Sequence, residues 1–169
     1  MAKSTVASGN TASSCQRKTF YSQGRFWVFY LSSGNIYYKS STDGSSWSSA
    51  GTALDETYEI YHFDVIGKSG QNYVGIFAFE KWTNDGHYHF RKGTLSSDGS
   101  ISWDSTVLVY DSGIYDAYYS AINRASDGTW WVASGVDIGS ASYRFRVWSS
   151  ADGSSFTLRL DDSTSGIHC

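Results

Sequence analysis

Apolar and polar residues alternate along most of this chain in short segments, and the period is two rather than 3.6. Segments 25–31, 72–79 and 129–134 are rich in aromatic and β-branched residues, which predicts strands. Shorter candidates precede them at 18–21, 61–66 and 118–123. Two more follow each, at 35–39, 87–91 and 143–148, then at 48–54, 103–110 and 156–160. Tight turns join the first segment of each set to the second, at Gln23-Gly24, Ser69-Gly70 and Asp127-Gly128. Gly tolerates positive φ there, and Asp or Ser accepts local backbone N–H bonds.

The turn between the third and fourth segments repeats. It reads Ser41-Thr42-Asp43-Gly44-Ser45-Ser46-Trp47, and again Ser150-Ala151-Asp152-Gly153-Ser154-Ser155-Phe156. Between them lies Ser96-Ser97-Asp98-Gly99-Ser100-Ile101-Ser102-Trp103, one residue longer before its aromatic. The aspartates stand 55 and 54 residues apart. A near-constant period of this length marks a repeat architecture. Four antiparallel strands per repeat predict a propeller blade. A β-sandwich would not repeat one turn at every fourth strand. The expected fold is therefore an all-β propeller of four-stranded antiparallel blades, three in this single unit of 1–169. The blades run over about 16–57, 58–113 and 114–165.

The S-x-D-G-x-x-W segments resemble the Asp-box, or bacterial neuraminidase repeat. Residues 17–30, running into 35–39, look like a blade of the sialidase-like propellers. The resemblance covers roughly 16–165, although all three copies lack the residue that commonly separates Asp from Gly. It implies structural turns at Asp43, Gly44 and Trp47, at Asp98, Gly99 and Trp103, and at Asp152, Gly153 and Phe156. It also places ligands on the opposite face, near the axis, and suggests an extracellular setting. The sialidase catalytic set does not carry over. The chain has no Pro, so the Arg-Ile-Pro motif is absent, and of seven arginines only Arg17 falls near an axial strand end.

Composition narrows the reading. Twenty-nine of 169 residues are aromatic, which argues against disorder despite 31 Ser and 17 Gly. A net charge of −3 without a basic block argues against nucleic acid. No apolar run approaches the roughly 20 residues of a spanning helix, and the first five residues lack the apolar core of a signal peptide. Cys15 and Cys169 follow similar segments near the two ends and are read as two unpaired thiols at equivalent repeat positions.

Candidate ligand contacts lie in the loops opposite the Asp turns. One loop offers Trp82, Asp85 and His87. Connections between blades offer Tyr58, Glu59, Tyr61 and His62, then Tyr115, Asp116, Tyr118 and Tyr119. Aromatic rings stack on pyranose faces and carboxylates accept hydroxyl hydrogen bonds, so the set suits glycans. Glu59, Asp64 and Asp116 are candidates for the paired carboxylates that a glycosidase needs. His87 and His89 share a strand face, which is a weak metal signal, and no metal or cofactor is expected. The leading expectation is a non-catalytic propeller module that binds carbohydrate or builds an assembly. The alternatives are half of a sialidase-like glycoside hydrolase and a purely structural repeat protein. The expected partner is a second copy, completing six blades around a two-fold axis, or the missing half of a longer propeller. Trp27, Phe29, Tyr37, Trp131, Phe145 and Val147 are expected on the faces that such pairing covers.

Overall fold

The computed structural model describes residues 17–82, 85–113, 117–137 and 143–162. These residues form thirteen strands in three antiparallel sheets. The first sheet holds β1 (Thr19–Ser22), β2 (Arg25–Ser32), β3 (Asn35–Ser41) and β4 (Gly51–Leu54), in that order. The second holds β5 (Glu59–Gly67), β6 (Tyr73–Trp82), β7 (Asp85–Leu95) and β8 (Ile101–Trp103), with β9 (Val107–Asp111) also paired to β7. The third holds β10 (Ala117–Arg124), β11 (Trp130–Asp137), β12 (Tyr143–Ser150) and β13 (Thr157–Asp162). Three consecutive meanders agree with three blades.

Several expected boundaries are corrected. The fourth strand of the second sheet is split into β8 and β9. From the pair Gly93↔Trp103 to the pair Phe90↔Val107, one edge advances three residues and the other four. The extra residue bulges out near Asp104, whose N–H still donates to the Lys92 carbonyl at 3.0 Å. Strands β6 and β7 run further than read, so Trp82 and Asp85 are paired strand residues rather than loop. Tyr61 and Tyr118, the first residues of the expected strands 61–66 and 118–123, lie two residues and one residue inside β5 and β10.

The cores lie between the sheets. Trp27, Phe29, Ile36, Ala53 and Leu54 of the first sheet pack on Phe63, Val65, Ile76 and Ala78 of the second. The other face of the second sheet puts Phe77, Phe79, Tyr88 and Phe90 against Ile122, Trp130, Val132 and Trp148. Trp27 and Phe29, expected on an open face, are fully buried between sheets instead, because they alternate with the outward residues Phe26 and Val28. Of the same expected set, Trp131 and Phe145 on the third sheet are each 39% exposed, while Tyr37 and Val147 are half-buried; Leu160, outside that set, is 45% exposed.

A single carboxylate ties the three sheets. Asp64 on β5 is buried and accepts N–H bonds from Arg17 and Val65 through Oδ1, at 2.8 and 2.9 Å. Its Oδ2 accepts from Ile122 N–H on β10 and from the Arg17 guanidinium, both at 3.0 Å.

The repeated turns carry the local bonds that their residues dictate. Asp43 Oδ1 accepts from the N–H groups of Ser45 and Ser46, both at 2.8 Å, while Ser41 Oγ accepts from Gly44 N–H. Asp152 and Ser150 repeat this with Ser154 and Gly153. The middle copy differs: Ser96 N–H donates to the Ser100 carbonyl, and Asp98 accepts from the N–H and the hydroxyl of Ser100. The later turns also rest on the preceding sheet. Ser40 Oγ donates to the Gly99 carbonyl, Arg25 to the Ser97 carbonyl, and Lys92 to the Asp152 carbonyl. Trp103 packs on the first core, while Phe156 packs on the second through Phe90. Trp47 is half-buried in its turn, and its indole N–H has no hydrogen-bond partner.

Candidate functional site

The start of β5, the end of β6 and the start of β7 meet at the side opposite the Asp turns. Antiparallel connection puts them there, since each meander reverses direction at every strand. Three groups of side chains gather in this region.

The first group lines a shallow polar groove of about 440 Å³. Its walls are the Ser33-Gly34-Asn35 turn and residues 56–59, so Tyr58 and Glu59 fall where the sequence places a ligand. Ile60 N–H donates to the Gly34 carbonyl at 2.9 Å and holds the two walls together.

The second group is Tyr61, His62 and Tyr119. The register of β5 slips between Ile60 and His62, and that of β10 slips between Tyr118 and Ser120. Each slip is a bulge carrying a tyrosine. Bulges commonly re-aim a side chain at a rim. Tyr61 is 44% exposed and Tyr119 37%. Tyr119 sits at φ 62°, the left-handed region, which is unusual for a bulky residue. The His62 ring centroid is 6.4 Å from each of theirs. Lys81 Nζ stands 5.4 Å from the Tyr61 ring. Burial and the nearby Lys18 ammonium together hold His62 below its ordinary pKa. Its buried Nδ1 has no hydrogen-bond partner.

The third group centres on Glu80. It ends the run Val74–Phe79, which is buried at every position. Its Oε1 accepts from Tyr58 N–H at 2.6 Å, which ties this group to the groove wall. Its Oε2 faces His87 Nδ1 at 3.2 Å and His89 Nε2 at 2.8 Å. Burial raises the carboxyl's pKa, but the hydrogen bonds from Tyr58 and His89, with the charge of His89, outweigh that and hold it below its ordinary value.

Of the residues named from sequence, the structure gathers Tyr58, Glu59, Tyr61, His62 and His87. Tyr115 and Asp116 lie outside the described residues, as do the side chains of Trp82, Asp85 and Tyr118. Asp64 is occupied by four donors, so it is not poised as a free catalytic carboxylate. Glu80 was missed. The signal for it was a charge closing a run that otherwise reads as buried strand. Arg144 and Arg146 share one face of β12, and both pair with Asp161.

No family model matches this sequence, and no curated protein matches it. Among solved structures, the chain is similar to the catalytic domain of a GH62 α-L-arabinofuranosidase from Coprinopsis cinerea. The TM-score is 0.54 with 15% identity, over 86% of this chain and 49% of that one. The chain thus spans about half the length of that domain. The likeness concerns fold alone, and it supports a propeller-like arrangement of the three sheets.

Proposed function

We propose that this chain is a non-catalytic propeller module that binds carbohydrate through its Tyr61–His62–Tyr119 rim and the adjoining groove. The observation that carries the reading is the pair of bulges. The first strands of adjoining sheets each raise one exposed tyrosine at the same end, and each ring centroid lies 6.4 Å from that of one imidazole, His62. Partly exposed aromatic rings give a sugar an apolar face, and Glu59 with Asn35 and Ser33 offers hydrogen bonds to hydroxyls. The carbohydrate-active nature of the structural neighbour agrees with this class of ligand. The resemblance to Asp-box turns belongs to the same proposal, supported by the matching bonds of Asp43 and Asp152.

A glycan array followed by calorimetry on the best ligand tests it. Tyr61→Ala and Tyr119→Ala should each weaken affinity by roughly two- to twelvefold, the scale of losing one ring contact at about 0.5–1.5 kcal/mol. Unchanged affinity in both variants, with folding intact, would refute the rim as the site.

A second reading is that the chain forms part of a glycoside hydrolase. It is favoured by the neighbour being a hydrolase catalytic domain of which this chain covers only about half. Turnover of fluorogenic glycosides by the isolated chain, lost in Glu59→Gln, would replace the binding-only reading with this one.

A further inference from the structure

We propose that Glu80, His87 and His89 form a binding site for a divalent first-row transition metal, with Zn²⁺ as the representative ion. The three residues come from two paired strands. Glu80 and His87 are direct cross-strand partners, and His89 lies two residues along the same face. One ligand atom from each falls within 4.8 Å of the other two.

The distances suit the ion. Ligands held 2.0–2.1 Å from a tetrahedral zinc stand about 3.3 Å from one another. Glu80 Oε2 is already 3.2 and 2.8 Å from the two imidazole nitrogens. The third edge, between the two imidazole nitrogens, is bounded at 4.8 Å, so an ion would need the shorter edge to open and the two rings to turn toward each other about their side-chain torsions. Two imidazoles and one carboxylate suit zinc and its first-row neighbours, whereas Ca²⁺ and Mg²⁺ prefer sites rich in oxygen. Three protein ligands would leave a fourth position for water or a ligand oxygen.

The surroundings are built in the way outer partners of metal ligands are. Glu80 is fixed through its other oxygen by Tyr58 N–H. The far nitrogen of His87, Nε2, stands 3.9 Å from the exposed Asp111 Oδ1 on β9, beyond hydrogen-bond length, so Asp111 would have to turn toward the ring to act as its outer partner. A carboxylate behind a ligating histidine fixes its orientation and raises its basicity. The Glu80 and His89 side chains are 3% and 10% exposed, while that of His87 is 23% exposed and opens a path to solvent.

The simpler arrangement is a carboxylate that accepts hydrogen bonds from two imidazole N–H groups. A metal instead needs lone pairs on those same nitrogens. The two differ in what they bind. After chelator treatment, Zn²⁺ titration by calorimetry should show one saturable site per chain, and bound Co²⁺ should give the strong visible absorption of a tetrahedral site. His87→Gln and His89→Gln should each weaken Zn²⁺ binding by about tenfold or more. A Cys15→Ser/Cys169→Ser variant should bind as the parent does. Absence of saturable uptake up to about 1 mM Zn²⁺ would overturn the proposal. So would loss of uptake in the cysteine variant but not in the histidine variants. If His89→Gln fails to fold, His87→Gln decides, because its ring lies at the exposed edge. The proposal is independent of sugar binding: glycan affinity measured with chelator present reports on the rim, and zinc uptake without glycan reports on this site.

Discussion

His62 is a half-buried imidazole beside two tyrosine rings, with the Lys18 ammonium close enough to disfavour a second positive charge. Its folded pKa lies below the unfolded value of about 6.5. In the window between those two values the unfolded chain therefore binds more protons than the folded one. The contribution of His62 to stability is complete above about pH 6.5 and declines as pH falls through that window. Melting temperature measured from pH 8 to pH 5 should drop, and His62→Gln should flatten part of that slope. An identical slope in the variant would show that His62 does not titrate as its surroundings dictate. The Asp turns behave in the same sense at lower pH. Asp43, Asp98 and Asp152 are held below their ordinary pKa by backbone N–H groups, so their contribution is complete well above the unfolded value of about 3.9 and declines as pH falls below it.

At the scale of elements, most strands were legible because alternation and turn chemistry are local. Gly24, Gly70 and Gly128 do adopt positive φ, and each strand pair meets where its turn predicts. What stayed hidden depends on distant partners. The central sheet is covered on both faces, so β6 reads as a continuous apolar run and its end cannot be found by alternation. The split between β8 and β9 arises from one surplus residue, which no composition rule reveals. The bulges under Tyr61 and Tyr119 are equally silent in sequence, because a bulge is a property of two strands. The candidate site was therefore only half legible. Tyr61 and His62 were found by position in the repeat, whereas Glu80 joins them through a cross-strand register that only pairing defines.

At the scale of the whole molecule, the third sheet keeps an apolar face in contact with water. Trp131, Phe145 and Leu160 fall on one face through the pairs Ala133↔Val147↔Leu160 and Gly135↔Phe145. Such a face favours association. Pairing of two copies, proposed to bring six sheets together, should give a sedimentation mass near twice 18.7 kDa at micromolar concentration. Trp131→Glu should shift it toward the single-chain mass. A stable monomer of the parent chain under those conditions would remove the pairing proposal.

Stacked repeats ordinarily behave as a one-dimensional array, in which each unit feels only its neighbours and can melt from an end. Asp64 makes this array different. Its donors come from the segment leading into the first sheet, from the second sheet itself and from the third. Detaching either outer sheet leaves a buried carboxylate short of donors, and that weakens its hold on the remaining one. The free energy of the stack thus contains a three-body contribution as well as pairwise ones. Calorimetry should accordingly record a single transition for the parent chain, and Asp64→Ala should broaden or divide it. Two resolved transitions in the parent would show that the sheets unfold as separate units despite the shared carboxylate.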